Sequence, residues 1–131
     1  MKTREQTRRI IIHHSLSGDV SADTIDGWHK DRGWDGCGYH FVIRFSGKVE
    51  TGRLLHLAGA HAYGRNGDSI GICVVGNFNN DQPTLDQYYE LARVCKSLRI
   101  IYCDKLVVEY HHEGCPAILF DRDFFETILG A

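Results

Sequence analysis

Two pairs of adjacent histidines stand far apart in this chain of 131 residues, and a cysteine closely follows the second pair. The first pair, His13-His14, ends the segment RIIIHH, and the second, His111-His112, begins the segment HHEGC. A catalytic zinc usually takes three protein ligands from histidine, cysteine or carboxylate side chains and keeps a fourth position for water. One histidine from each pair together with Cys115 would supply such a set. The residues alone leave open the alternative that these histidines are solvated or hydrogen-bonded.

Both histidine pairs follow segments that have the composition of β-strands. Residues 9–14 contain three consecutive isoleucines, and residues 105–110 read KLVVEY, so each segment is predicted to be a strand. Because side chains alternate along a strand, His13 and His14 should face opposite sides of the sheet. If the two strands are neighbours, both histidine pairs lie at one edge of the sheet, where rigid strand ends could hold a metal.

The remaining pattern predicts one α/β domain over residues 1–131, with the element order β-α-β-β-loop-β-α-β-loop-α. The glycine-rich segment 52–69 is predicted to be a long surface loop, and loops of that length are usually functional or disordered. Three side chains are predicted to cap the starts of helices: Ser21, Thr84 and Asp121. Gln87 is predicted to complete a capping box with Thr84. The other predicted strands are 39–45, 48–51 and 70–75, and the predicted helices run from these caps to Gly33, Tyr102 and Leu129.

Composition excludes several classes of protein. The formal net charge of −2 and the pI near 6.4 give no basic surface for nucleic acid. No apolar run approaches the ~20 residues that span a membrane, and the start MKTREQTRR lacks the apolar core of a signal peptide, so synthesis in the cytoplasm is expected. The five cysteines fit no CxxC motif or disulfide framework, and most of them are predicted to be reduced. A monomer is the default expectation.

Five segments of this chain resemble, in the same order, the zinc-dependent N-acetylmuramoyl-L-alanine amidases of the bacteriophage endolysin type. They are IIIHHS, DGWHKDRGWDGCGYHFVI, GAHAYGRNGDSIGICVVGNF, TLDQ, and HHE followed by CP. The resemblance implies a single mixed β-sheet flanked by helices, the fold that animal peptidoglycan recognition proteins share. It also implies Zn²⁺ as the cofactor and hydrolysis of the amide bond between N-acetylmuramic acid and L-alanine in peptidoglycan. The enzyme would be a phage or prophage lysis enzyme that acts on the cell wall after release.

The resemblance also implies roles for individual residues. Three positions match the zinc ligands of the family: His13, His111 and Cys115. Tyr39 matches a catalytic tyrosine that lies near the substrate carbonyl, and His61 matches a histidine that lines the substrate groove. Arg65 and Asn66, in the glycine-rich loop, are candidate contacts for the peptide stem of the substrate.

One loop departs from the family pattern. Phage enzymes of this type commonly have a longer segment between the late histidine ligand and the cysteine, with a catalytic lysine two positions before the cysteine. Here only three residues separate His111 from Cys115, and Glu113 takes the position of the lysine. Glu113 could act as a general acid or base, as glutamates do in other zinc hydrolases, or it could be a solvated loop residue. The contraction could also move Cys115 out of reach, leaving His112 or Glu113 to bind the metal.

This departure motivates an alternative function, a non-catalytic peptidoglycan-binding protein on the same fold. Known non-enzymatic relatives typically lose the cysteine ligand, whereas this chain keeps Cys115. The sequence therefore favours the enzyme. Two further expectations concern packing: Trp28, at helical spacing from Ile25, is predicted to be buried, and His40 is predicted to have a structural role.

Overall fold

Five strands form one mixed β-sheet in the computed structural model, which describes residues 1–130. The strands are β1 (Arg9–His14), β2 (Phe41–Ile43), β3 (Val49–Thr51), β4 (Ser69–Val74) and β5 (Val107–Tyr110). Their order across the sheet is β3-β2-β4-β1-β5, and only the β2-β3 pair is antiparallel. The single mixed sheet that the sequence predicted is confirmed.

The three helices are α1 (Ala22–Asp31), α2 (Leu85–Ile101) and α3 (Arg122–Leu129). Each begins at its predicted cap, because the side chains of Ser21, Thr84 and Asp121 accept a backbone N–H from the first turn. The glycine-rich loop contains one short 3₁₀ turn, Asn66–Asp68. Within residues 1–130, no helix is both long and apolar enough to cross a membrane.

Helices cover both faces of the sheet. On one face, Ile10 and Ile12 of β1 pack with residues of α2 and α3 in the main core. On the other face, Val42 and Cys73 pack against Ile25 of α1. His13 pairs in register with Cys73, and its ring contacts side chains on the α1 face, whereas the ring of His14 contacts Phe78 of the main core. The two histidines of the first pair therefore point to opposite faces, as strand alternation predicts.

The expectation that Trp28 is buried is wrong. The residue is 39% exposed, and the buried residues of α1 are Ala22, Ile25 and His29. The Nδ1 atom of His29 accepts the backbone N–H of Gly38 at 2.8 Å, so the imidazole anchors the segment that enters β2. The inner side of the helix is thus occupied by a histidine that has a specific partner, and the tryptophan lies at its border.

His40 is fully buried and has partners for both ring nitrogens. Its Nδ1 accepts the N–H of Gly71 at 3.1 Å, and its Nε2 donates to the carbonyl of Leu57 at 2.7 Å. Burial lowers the pKa of His40 to about 4, because an imidazolium would lose its hydration there. His40 therefore joins β2, β4 and the glycine-rich loop as a neutral ring.

We expect the free energy of unfolding to decrease as the pH falls from about 6.5 to about 4, with His40 contributing about 3 kcal/mol. In this window the unfolded chain binds a proton at His40 and the folded chain does not, so protonation favours the unfolded state. Urea denaturation at a series of pH values would measure the slope. His40→Asn should flatten that slope whatever its effect at neutral pH, and an unchanged slope would contradict the assignment.

Candidate metal centre and catalytic site

The carboxyl ends of β1 and β5 bring together one histidine from each pair. Ile12 of β1 pairs with Tyr110, the last residue of β5. The residues that follow them along the chain, His13 and His111, are therefore neighbours. The N–H of His111 donates to the carbonyl of Ile12 at 3.1 Å, and the ring centroids of the two histidines are 4.6 Å apart. Two parallel strands therefore place both imidazoles at one edge of the sheet.

Cys115 completes a three-residue cluster despite the short loop. Its Sγ lies 3.8 Å from Nδ1 of His13, and one donor atom from each of His13, His111 and Cys115 lies within 4.8 Å of the others. The backbone N–H of His14 also donates to Sγ, at 3.3 Å. Two imidazoles and one thiol form a donor set that suits zinc, and three protein ligands leave a fourth position free. The residues present thus fit the metal that the resemblance implies.

His14 explains how so short a loop reaches the site. The N–H of Phe78 donates to its Nδ1 at 3.1 Å, so in the neutral ring Nε2 carries the proton and donates to the carbonyl of Gly114, also at 3.1 Å. His112 and Cys115 exchange two backbone hydrogen bonds, of 2.9 and 3.1 Å. The loop is therefore closed on itself and tied to the end of β1, which delivers the thiol to His13.

The charge states of the cluster favour a bound cation. Burial, and then the neighbouring His61 and His111, lower the pKa of His13 well below its usual value. Burial likewise lowers the pKa of His111, so both rings are neutral at pH 7 and keep a lone pair for a metal. Burial raises the pKa of the Cys115 thiol, and a divalent cation would act in the opposite direction by stabilising the thiolate.

The cluster opens into a cavity of about 560 Å³ that Tyr39 also lines. The Tyr39 ring lies 5.1 Å from the ring of His13 and 5.5 Å from that of His29, measured between centroids. Burial raises the pKa of the Tyr39 phenol, so its hydroxyl keeps its proton at neutral pH. The structure thus places a protonated tyrosine in the same cavity as the candidate ligands.

The three residues predicted to contact substrate have different surroundings. His61 and Asn66 line the cavity, and the Asn66 side-chain oxygen accepts the backbone N–H of His61 and of Ala62, each at 2.9 Å. Arg65 is not among the lining residues. Its guanidinium donates to Glu109 at 3.2 Å and to the carbonyl of His111 at 2.8 Å, so it supports a candidate ligand. Substrate contact by these three residues stays a prediction.

Two aromatic side chains on the cavity wall complete the site. Trp34 is 40% exposed, and Tyr63 is fully exposed. Tyr63 follows His61 by two residues in the glycine-rich loop. That position in the sequence could have indicated a ligand contact, because an aromatic side chain beside a candidate site often contacts a ligand. Tyr63 is not among the site residues predicted from the sequence.

Glu113 lies outside this cavity. Its side chain is exposed and lines a neighbouring cavity together with Ile118 and Asp121. Because a general acid or base must come within hydrogen-bond reach of the reacting group, this placement gives the carboxylate no evident access to it. The acid-base role of Glu113 was drawn from its position in the sequence and stays untested.

We expect Glu113→Gln to keep kcat close to that of the unmodified chain and to leave metal content unchanged. Gln has nearly the same shape as Glu but cannot exchange a proton at neutral pH, so the variant tests acid-base chemistry alone. Initial rates on peptidoglycan, with metal content measured on the same sample, would show the effect. A loss of kcat of about 10²-fold or more with full metal content would restore Glu113 as the acid or base.

Comparison with known proteins agrees with this geometry. The family model described as N-acetylmuramoyl-L-alanine amidase matches residues 3–118. The endolysin of Escherichia phage T7 is 39% identical over 88% of this chain and 81% of its own length. The endolysin of Klebsiella phage KP32 is 34% identical over 91% of this chain and 86% of its own length.

Solved structures give the same result. The N-acetylmuramoyl-L-alanine amidase LysC from Clostridium intestinale URNW superposes with a TM-score of 0.90 at 31% identity, over 96% of this chain and 87% of that one. The Drosophila peptidoglycan recognition protein SD has a TM-score of 0.86 at 18% identity, over 96% of this chain and 83% of that one, which shows a shared fold. The chain belongs to the N-acetylmuramoyl-L-alanine amidase family.

Proposed function

We propose that this amidase is zinc-dependent and hydrolyses the bond between N-acetylmuramic acid and L-alanine in peptidoglycan, as the lysis enzyme of a phage or prophage. It would act on the cell wall after release from the cytoplasm. The observation that carries the proposal is the cluster of His13, His111 and Cys115 at a cavity that Tyr39 also lines. The endolysin relatives support the lysis role.

The proposed chemistry assigns one task to each group of side chains. His13, His111 and Cys115 would hold the metal. When bound, zinc lowers the pKa of a water molecule and polarises the carbonyl of the substrate amide. Tyr39 would donate a hydrogen bond from its protonated phenol to the carbonyl oxygen, where negative charge develops as the amide is attacked.

The cavity walls would bind and orient the substrate. Trp34 and Tyr63 offer exposed aromatic faces, which suit the apolar faces of sugar rings. Asn66 would contact the peptide stem from the glycine-rich loop. A substrate held between these groups places its scissile amide next to Tyr39 and the ligand cluster, and such positioning contributes directly to the rate.

Release of free amino groups from purified peptidoglycan tests the function. We expect release by the zinc-loaded protein, loss of release after treatment with a chelator, and recovery when zinc is returned. His13→Ala should release none under any of these conditions. If the zinc-loaded protein released no amino groups but still pelleted with peptidoglycan, the chain would be a binding protein and the proposal would be wrong.

A further inference from the structure

We propose that His61 is a positioning residue that fixes the tautomer of His13, so that His13 offers Nδ1 to the metal. This inference rests on the zinc site of the proposed function. The Nε2 atom of His13 lies 2.8 Å from Nδ1 of His61, and both residues are buried. A hydrogen bond at this distance requires that one of the two nitrogens carries a proton and the other does not.

A second hydrogen bond decides which nitrogen is the donor. The hydroxyl of Ser69 lies 2.6 Å from the carbonyl oxygen of Arg65 and 3.2 Å from Nε2 of His61. A carbonyl oxygen can only accept, so the single hydroxyl proton of Ser69 is used there. Towards His61 the Ser69 oxygen must therefore accept, and Nε2 of His61 must carry the proton.

The tautomer of His61 in turn determines the tautomer of His13. In a neutral imidazole one nitrogen donates and the other accepts, so Nδ1 of His61 is an acceptor. His13 consequently donates from Nε2, and its Nδ1 keeps a lone pair. That Nδ1 is the atom 3.8 Å from Sγ of Cys115. The tautomer fixed by His61 and Ser69 is thus the one that presents a ligand atom towards the other candidate ligands.

Two glycines leave room for the ring of His61. A Cβ atom at Gly71 of β4 would lie 2.5 Å from that ring, and a Cβ atom at Gly59 would also lie 2.5 Å from it. Any other residue at either position would force the ring to move. Asn66 holds the backbone N–H of His61 at 2.9 Å. The strand and the loop therefore pack closely around the His61 ring where it contacts His13.

This arrangement gives His61 a role that differs from substrate contact. Its ring nitrogens are both hydrogen-bonded inside the protein, and only 9% of the residue is exposed. Partners of metal-ligating histidines orient the ring and raise its basicity, and their loss typically weakens metal binding by about 10- to 100-fold. We therefore assign His61 to the support of His13.

Two variants of equal shape separate this role from packing. His61→Asn keeps a side-chain oxygen near the position of Nδ1, and this oxygen can accept a hydrogen bond from His13. His61→Leu has a side chain of nearly the same size as Asn, but it cannot accept a hydrogen bond. We expect His61→Leu to weaken zinc binding by about 10- to 100-fold and His61→Asn to bind close to the unmodified chain. Zinc affinity would be measured by competition with a chelator, and thermal unfolding of both variants in chelator would control for stability.

Equal zinc affinities for the Asn and Leu variants, whether high or low, would overturn the inference. A second measurement uses the ¹⁵N resonances of the zinc-loaded unmodified chain. We expect His13 to show a protonated Nε2 and a metal-bound Nδ1, and metal at Nε2 would also overturn it. If the unmodified chain bound no zinc and His13→Ala changed nothing, the failure would lie instead in the proposed metal site.

Discussion

Cys115→Ser should remove bound zinc and lower kcat/KM by about 10³-fold, which corresponds to a loss of about 4 kcal/mol of transition-state stabilisation. Serine is similar in size to cysteine, so the buried position is preserved. A serine hydroxyl does not ionise near neutral pH, whereas the Cys115 thiol can become a thiolate beside a divalent cation. The variant would therefore remove the proposed anionic ligand and leave His13 and His111 in place.

Metal analysis and initial rates on peptidoglycan would measure both effects. Cys103→Ser is the matched control, because Cys103 is an exposed free cysteine outside the site, and its replacement should change neither quantity. Full zinc content in Cys115→Ser would mean that the metal has another third ligand. His112 would then be the first candidate, since it lines the cavity and neighbours His111.

The part of this site that the sequence could predict comes from strand ends. The isoleucine run before His13 and the segment KLVVEY before His111 are recognisable as strands, and parallel neighbours end at the same edge of a sheet. The resemblance to the amidases supplied the choice of one histidine from each pair. That each choice falls on clustered side chains follows from the register of Ile12 with Tyr110.

The shortened loop could not be predicted in the same way. Its course depends on the hydrogen bond from His14 to the carbonyl of Gly114, between residues that are distant in sequence. Counting positions back from Cys115 placed Glu113 at the lysine position that the resemblance implies, but a loop that lacks several residues does not direct its side chains alike. The same limit applies to His61, whose partners His13 and Ser69 come from different strands.

The two histidines of the first pair divide their tasks between the sheet faces. His13, on the face covered by α1, meets the candidate metal site, and His14, on the face of the main core, fixes the loop that carries Cys115. A single strand end thus contributes both a candidate ligand and the support for another candidate ligand. Alternation along β1 predicts the division of faces, but the partners on each face come from the tertiary fold.

Tyr39→Phe should lower kcat by about 10²- to 10³-fold and leave zinc content unchanged, because it removes one hydrogen-bond donor to the developing oxyanion. The aromatic ring that packs 5.1 Å from the ring of His13 is kept, so the ligand cluster should not be disturbed. KM should change little, since the lost interaction is strongest in the transition state. Steady-state kinetics on soluble muropeptides would separate kcat from KM.

Tyr63→Phe is the matched control for the loss of a phenol at the same cavity. Tyr63 is fully exposed on the wall, so removing its hydroxyl should leave kcat close to that of the unmodified chain.

Burial raises the pKa of Tyr39, so its hydroxyl should remain a donor in mildly alkaline solution. The kcat ratio between Tyr39→Phe and the unmodified chain should therefore stay constant there. A ratio that approached one with rising pH would show that the Tyr39 phenol loses its donor proton in this range, against the raised pKa. A zinc loss equal to the loss of kcat would show that Tyr39 supports the metal instead.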